Sequence, residues 1–205
     1  MSFQLFTIVF IAITVLVSVT GFNDSRIIDR LILWPGRMNT PSEYHRLLSS
    51  GFIHNDGTHL FFNMFTLFFI GSLVEREFEV NGYWLLYPVL YCVGIIAASL
   101  PSFIKNRNNA YYRSLGASGG VAAVLFSSVY FAPWNKIYIY FIALPNIVFA
   151  GLYLAYSAYM SKRGGDNVNH DAHFWGAVFG FLFTLAIDSD HGRTFLEQMK
   201  HPSIF

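Results

Sequence analysis

The distribution of charge is the feature that most limits what this chain can fold into. Its 205 residues include only 13 basic and 12 acidic side chains, and these leave six long runs without Lys, Arg, Asp or Glu. The runs have 23, 18, 25, 22, 25 and 16 residues and cover 1–23, 57–74, 80–104, 114–135, 137–161 and 172–187. A helix needs roughly 20 apolar residues to cross a bilayer, and about 17 at the short end. Five runs meet that length and the sixth is borderline, so the sequence predicts an integral membrane protein.

Composition also excludes several classes of protein. A net charge of +1 without a basic cluster argues against a nucleic-acid partner. The single cysteine, Cys92, lies in an apolar run and rules out a disulfide framework or a thiolate metal cage. The segments between the runs are too short to bury a core of their own. We therefore expect one membrane domain over 1–205, with no cofactor and no metal.

The runs and the breaks between them predict an all-α membrane protein with six transmembrane helices. The expected helices cover approximately 3–22, 58–75, 83–104, 115–132, 145–160 and 171–187, followed by a short polar tail at 188–205. The first run lacks a basic flank and is longer than the apolar core of a signal peptide, so we interpret it as a spanning helix. Residues 23–57 mix arginines with apolar side chains, which predicts a long first loop lying in the membrane interface.

The topology of six spans gives three side chains a common position. The loops before helices two, four and six lie on one side of the membrane, and His59, Ser118 and His173 follow those loops. Polar residues of the same loops are expected to border a cavity open to water; they are Asn55, Asp56, Thr58, Ser114, Asn167 and Asn169. Three potentially reactive groups are thus predicted at similar depth near one surface.

Ser118 and His173 each have a structural and a chemical interpretation. Ser118 lies in a Gly/Ala/Ser cluster, which is common where transmembrane helices pack closely. The same close approach would allow a base to reach a catalytic serine. His173 precedes Gly176 by three residues, on the face formed by Gly176 and Gly180. It is either a histidine near the interface or, as an ionisable group within the membrane, a functional residue.

His59 and Asn63 form a second pair with two interpretations. Their spacing of four residues places both on one face of helix two. An imidazole and an amide can donate hydrogen bonds to the oxyanion that develops in acyl transfer. The alternative is hydrogen bonding between helices, which Asn commonly supplies in membranes.

Taken together, these motifs resemble the rhomboid intramembrane serine proteases in their minimal six-helix form. The motifs are His59-x-x-x-Asn63 on helix two, Gly116-Ala117-Ser118-Gly119 at the start of helix four, and Ala172-His173-x-x-Gly176-x-x-x-Gly180 on helix six. Each is short, but their order and their placement on alternate helices are specific. The resemblance extends over essentially the whole chain.

The resemblance implies a catalytic dyad and a substrate class. Ser118 would be the nucleophile and His173 the general base, with no third acidic residue, so Asp171 is not assigned to a triad. The side chains of His59 and Asn63, with the backbone N–H of Ser118, would form the oxyanion hole. The implied substrate is a transmembrane helix of another membrane protein, and lipid bilayer is the other expected partner.

The resemblance also implies structural roles and reveals two departures. Structural support is expected from Gly116, Gly119, Gly176, Gly180, His54 and Glu75. The family often has Trp-Arg in the first loop, where this chain has His45-Arg46. Some members place an aromatic residue four positions after the serine, stacked on the catalytic histidine, and here that position is Ala122. The candidates to replace it are Phe61, Phe62, Phe174 and Trp175.

Two other functions remain open at this stage. His59, His170, His173 and Asp171 could form the metal site of a membrane hydrolase, since neutral imidazole is a common zinc ligand. A catalytically silent, helix-binding relative is the second alternative.

The orientation in the membrane is a further open point. The resemblance favours a bacterial inner membrane with the active site facing outward. That topology places nine basic residues on the outer side and four on the cytoplasmic side, against the positive-inside tendency.

Overall fold

The computed structural model describes residues 4–139, 141–164 and 168–202. It is mostly helical, with one two-stranded hairpin. The helices are α1 (Leu5–Asn23), α2 (Ser25–Leu31), α3 (Arg46–Ser49), α4 (Gly57–Thr66), α5 (Ser72–Val80), α6 (Leu86–Lys105), α7 (Ser118–Phe131), α8 (Asn146–Arg163), α9 (His170–Ile187) and α10 (Arg193–Lys200). The strands are β1 (Lys136–Ile139) and β2 (Ile142–Pro145). A π-helical turn, Leu67–Gly71, joins α4 and α5 into one continuous helix.

Among the described residues, three helices are long and apolar enough to cross a membrane. They are Leu5–Asn23, Gly57–Val80 and Leu86–Lys105. Helix α7 is apolar but has only 14 residues. It begins at Ser118 rather than at the predicted residue 115, because Gly116 adopts a φ of +119° that is incompatible with a right-handed helix.

The prediction of an all-α fold is wrong between α7 and α8. Strands β1 and β2 form an antiparallel hairpin, with Lys136 opposite Pro145 and Ile137 opposite Leu144. The alternating β-branched and aromatic residues of this segment favour extended backbone. Pro145 ends the second strand, and α8 then begins at Asn146. Within the tail at 188–205, helix α10 (Arg193–Lys200) packs against the end of α7 through stacked rings of Phe195 and Tyr130.

The first loop is held in place by its cations. Arg46, only 6% exposed, donates hydrogen bonds to the carbonyl oxygens of Asp29 and Ile32. The guanidinium groups of Arg37 and Arg113 lie 3.6 and 3.7 Å from the centre of the Trp34 ring. Arg46 thus anchors the first loop, although the residue before it is His45 and not a tryptophan. Whether the loop lies in the membrane interface stays a prediction.

Helix α7 is the centre of the molecule. Eleven of its 14 residues are buried, mainly against α6 and α9. Small residues allow this close approach: a methyl group added to Gly94 would lie 2.7 Å from the Cβ of Ala123, and one added to Gly119 would lie 2.5 Å from the Cβ of Ala98. Since real Cβ atoms essentially never approach that closely, these positions fix the distance between the helices.

Candidate active site

A cavity of about 1410 Å³ lies between the start of α7 and the surrounding helices. Its lining includes all four side chains singled out from the sequence: Ser118, His173, His59 and Asn63. Polar residues of three loops also line it, among them Asn55, Asp56, Ser114 and Asn169. Thr58 does not line it, and Asn167 lies outside the described residues. The structure therefore brings together side chains that are 114 positions apart in the sequence, from His59 to His173.

Gly116 allows His59 to lie close to the segment that precedes Ser118. A methyl group added to Gly116 would lie 2.6 Å from Cε1 of His59, so the imidazole of His59 lies directly against the Gly116 backbone. The backbone conformation, with φ at +119°, also favours glycine. Residues 115–117 are consequently not helical. The backbone N–H of Ser118 lies in the first turn of α7, where N–H groups have no acceptor within the helix.

His54 links the residue that precedes Ser118 to α1 through hydrogen bonds. The backbone N–H of Ala117 donates to Nε2 of His54 at 3.2 Å, so Nε2 carries no proton. The neutral ring then has its proton on Nδ1, which donates to Oγ of Ser18 at 3.0 Å. Burial lowers the pKa of His54, reinforced by the neighbouring His59 and opposed by Asp56. The ring of His54 also meets that of His59 edge-on, with centroids 4.8 Å apart.

Glycines bring α9 against α7 at the level of the site. A methyl group added to Gly176 would overlap the carbonyl oxygen of Gly119, and one added to Gly180 would overlap that of Ala123. Ala172 lies in the same contact, because its carbonyl oxygen would be 3.6 Å from a Cβ on Gly119. His173, the next residue, therefore lies in the first turn of α9, beside the first turn of α7.

Asn169 fixes the start of α9. Its Oδ1 accepts hydrogen bonds from the backbone N–H of Ala172 at 3.1 Å and from Oγ of Ser102 at 3.1 Å. Its Nδ2 donates to Oγ of Ser114 at 2.9 Å. One helix cap thus joins α9, α6 and the segment before α7. Its position before an apolar helix is a sequence signal for a cap, but its two tertiary partners are not visible in the sequence.

Two further polar residues have clear partners. One amide N–H of Asn63 donates to the carbonyl of His59 at 3.0 Å, and the Asn63 side chain is 7% exposed. Glu75 accepts hydrogen bonds at 2.9 Å from the backbone N–H groups of Phe6 and Thr7. The Glu75 carboxylate thereby holds the first turn of α1 against α5.

The acidic residue nearest to His173 in sequence has other partners. Asp171 pairs with Nζ of Lys105 at 3.2 Å and accepts a hydrogen bond from Ser161. Within the described ranges, no group of three or more His, Cys, Asp or Glu side chains is placed to hold a metal ion. The predicted alternative metal set of His59, His170, His173 and Asp171 is therefore not assembled in this structure.

Comparison with known proteins identifies the family. The sequence pattern described as "Rhomboid domain" matches residues 41–189, which is more than half of the chain. The protein belongs to the rhomboid family.

Individual rhomboid relatives differ in length. RHOMBOID-like protein 12, mitochondrial, of Arabidopsis thaliana is 27% identical over 65% of this chain. RHOMBOID-like protein 4 of the same plant is 34% identical over 72% of this chain. The aligned parts cover only 44% and 35% of those two proteins. The chain thus spans less than half of their length. Rhomboid protease GlpG of Haemophilus influenzae is 26% identical over 93% of this chain and 94% of its own length.

One departure from the rhomboid pattern is explained by the structure. The ring that stacks on His173 is Tyr153 of α8, with centroids 6.1 Å apart and an interplanar angle of 25°. The four aromatic residues considered from the sequence form two other ring pairs, Phe61 with Phe62 and Phe174 with Trp175. Tyr153 could not be found from the sequence because no local signal shows which face of α8 packs against α9.

Proposed function

We propose that this rhomboid is an intramembrane serine endopeptidase, with Ser118 as nucleophile and His173 as general base. One observation carries the proposal: the helices that hold these residues in their first turns are packed through glycines, and both side chains line one cavity. His59 and Asn63 line the same cavity from α4. A serine beside a histidine, facing hydrogen-bond donors, is the arrangement that acyl transfer requires.

The residues support a two-step hydrolysis. His173 accepts the Ser118 proton as Oγ attacks the scissile carbonyl carbon, and then gives that proton to the leaving amine. The side chains of His59 and Asn63 and the backbone N–H of Ser118 stabilise the negative oxygen of the tetrahedral intermediate. His173 then removes a proton from a water molecule, whose oxygen attacks the acyl carbon; the bond from that carbon to Ser118 Oγ breaks, and Ser118 takes the proton back from His173. The polar residues at the cavity border, such as Asn55 and Asp56, give that water a path.

The proposed substrate is a transmembrane helix. The protein is an integral membrane protein, and the cavity wall from α4 includes Phe61, Phe62 and Phe65, whose side chains are more than half exposed. An apolar exposed flank next to a polar cavity suits a segment that arrives from lipid. Because helical hydrogen bonds are strong in lipid, we expect cleavage near Gly, Pro or polar residues that allow the substrate to unwind.

We further propose that six helices span the bilayer, with the active site facing outward in a bacterial inner membrane. The basic residues assigned to the outer side are Arg26, Arg30, Arg37, Arg46, Lys105, Arg107, Arg113, Lys162 and Arg163, against Arg76, Lys136, Arg193 and Lys200 inside. Several of the outer cations have protein partners: Arg46 is buried, and Arg37 and Arg113 stack on Trp34. These contacts weaken the positive-inside argument. Labelling of cysteines introduced at 188–202 from outside intact cells would refute this orientation.

Cleavage of a panel of single-span substrates by wild type, Ser118→Ala and His173→Ala tests the function. We expect wild type to cleave and to react with a fluorophosphonate probe, whereas Ser118→Ala does neither. Activity should persist in chelator. Cleavage that persists in Ser118→Ala but disappears in chelator would favour the metal-dependent hydrolase. Substrate binding without labelling or cleavage by wild type would favour a silent, helix-binding rhomboid.

A further inference from the structure

A short turn brings α10 back beside the ends of α7 and α9. Helix α9 ends at Ile187 and α10 begins at Arg193. Gly192 has a φ of +81°, a backbone conformation that favours glycine. The Asp188 carboxylate accepts hydrogen bonds from the backbone N–H groups of Asp190 and Gly192 at 3.0 and 3.1 Å. These contacts reverse the chain after α9 rather than extend it.

One side of α10 packs on the helix bundle. The ring of Phe195 stacks on Tyr130 of α7 with centroids 5.4 Å apart, and it meets Phe181 of α9 edge-on at 5.3 Å. Nε1 of Trp134 donates a hydrogen bond to the carbonyl oxygen of Gln198 at 2.7 Å. Phe181 lies six residues before the end of α9, which is about 9 Å along the helix axis. Helix α10 therefore lies beside the last turns of α9 rather than beyond them.

The turn before α10 is level with aromatic residues typical of a membrane surface. The backbone N–H of Ser189 donates to the hydroxyl oxygen of Tyr83 at 3.0 Å. The next residue, Trp84, is 51% exposed and stacks on Phe6 at the start of α1. Tyr83 and Trp84 join two helices that are long enough to cross a membrane, and Tyr and Trp are enriched where spanning helices reach the interface. The chain after α9 thus leaves the bundle at the level of the membrane interface.

The residues of α10 divide its surface into four sides. At 3.6 residues per turn, residues three or seven positions apart point in similar directions. In order around the helix axis, the pairs are Phe195 with Gln198, Leu196 with Met199, Arg193 with Lys200, and Thr194 with Glu197. The first pair packs on the bundle, and the residues of the other three pairs are exposed.

The order of these sides fits a helix that lies flat at the edge of a bundle. The apolar side, with Leu196 58% exposed, is a quarter turn from the side that packs on the bundle. The polar side with Glu197 is opposite to the apolar side, so one can face lipid while the other faces water. Arg193 and Lys200 lie between them, where long cationic side chains reach from the apolar region to the headgroups.

We propose that α10 is an interfacial helix whose partner is the phospholipid surface. Leu196 and Met199 insert at the boundary between glycerol and acyl chains, Arg193 and Lys200 lie among the headgroups, and Glu197 faces water. An amphipathic helix with cationic residues beside its apolar side binds a bilayer in this orientation.

The ion pairs of α10 leave its cations able to meet lipid phosphates. Arg193 pairs with Asp190 at 3.8 Å and Lys200 with Glu197 at 2.8 Å, and both cationic side chains are largely exposed. Exposed pairs of this kind contribute little free energy, so exchange for a headgroup costs little. Lipid on the apolar side then holds Phe195 against α7 and α9.

The first test measures the depth of single side chains in the full chain. A fluorophore, nitrobenzoxadiazole, is attached to Leu196→Cys or Glu197→Cys in a Cys92→Ala background. Nanodiscs of phosphatidylcholine and phosphatidylglycerol hold one protein each and expose both membrane faces to water. We expect a nitroxide on the lipid acyl chains to quench about half of the emission at 196, and aqueous iodide to quench the label at 197 instead. Glu197 is the matched control, because it is the next residue and its side chain is 54% exposed.

Two results of this test would overturn the proposal. Equal quenching of the two labels, by either agent, would show that α10 has no side turned to lipid. Protection of the label at 196 from both agents would mean that protein rather than lipid covers the apolar side.

The second test asks whether lipid holds α10 in place. We expect Leu196→Gln with Met199→Gln to raise amide hydrogen exchange in α10 about tenfold in the same nanodiscs, because the lipid contact of a large apolar side chain contributes about that factor. Glu197→Gln, which introduces the same residue on the water side, should exchange as wild type does. Wild-type exchange in the double variant would overturn the proposal. Neither measurement depends on catalysis, so the proposed protease function and the lipid contact stand or fall separately.

Discussion

The glycine contact between α7 and α9 gives the sharpest test of the site. In Gly176→Ala the new methyl group would overlap the carbonyl oxygen of Gly119, the residue next to Ser118. Backbone cannot move aside as a flexible side chain can. Real Cβ atoms essentially never lie within 3.0 Å of another heavy atom of this kind, so α9 has to shift away from α7.

The size of the shift sets the expected loss. Restoring an allowed contact needs a displacement on the order of 1 Å, and a misplacement of that size can cost about 100-fold in rate. Overpacking of a tight core typically lowers the free energy of unfolding by about 1–3 kcal/mol. Gly180→Ala, whose methyl group would overlap the Ala123 carbonyl, should lose similar stability, since it wedges the same helices one turn further along.

The assay compares three alanine variants for cleavage rate, Ser118 labelling rate and thermal unfolding in detergent. Gly151→Ala is the matched control, because Gly151 lies within α8 and an added methyl group meets nothing within 4 Å. Alanine is better than glycine in a helix by about 1 kcal/mol, so this control should be as active as wild type and slightly more stable.

A wild-type rate in Gly176→Ala would refute the reasoning. It would mean that α9 can move by that distance without displacing His173 from Ser118, or that the helices are further apart than described. A variant that unfolds at a lower temperature but labels Ser118 at the wild-type rate would separate helix packing from alignment of the dyad.

Three further predictions concern residues around the cavity. Asn63→Ala should lower kcat about 100- to 1,000-fold with little change in KM, because it removes one oxyanion donor; substrate cleavage kinetics measure this, and an unchanged kcat would contradict the role. The pKa of His54 in the folded protein lies below its ordinary value of 6.5, so as pH falls below 6.5 the unfolded chain gains a proton that the folded chain does not. The free energy of unfolding should therefore fall by about 1.4 kcal/mol from pH 7.5 to 5.5, and reversible unfolding of His54→Asn should lack that part of the pH dependence. Glu75→Gln should lower the free energy of unfolding by about 1–3 kcal/mol, because an amide offers one carbonyl oxygen to two backbone donors; unfolding as stable as wild type would show that the hydrogen bonds to Phe6 and Thr7 contribute little.

Much of the architecture could be read from local signals. Uncharged runs located the long helices, because a chain segment in lipid cannot carry many unpaired charges. Asp56 and Asn169 cap the first turns of α4 and α9, and such caps are visible in sequence. The sequence did not predict the hairpin of β1 and β2, since the periodicity of a short apolar run does not separate a strand from a helix; only its β-branched and aromatic residues favour the strand.

The sequence by itself determined that this is a membrane protein, and it placed Ser118, His173, His59 and Asn63 near the starts of three helices. It did so because helix length, charge and spacing are local properties of the chain. Only the tertiary structure decided that these side chains share one cavity, and that the ring on His173 belongs to Tyr153. Contacts between helices depend on how closely glycine faces pack and on which face of α8 turns inward. Neither the distance between helices nor the orientation of α8 is encoded in the order of residues along a single helix.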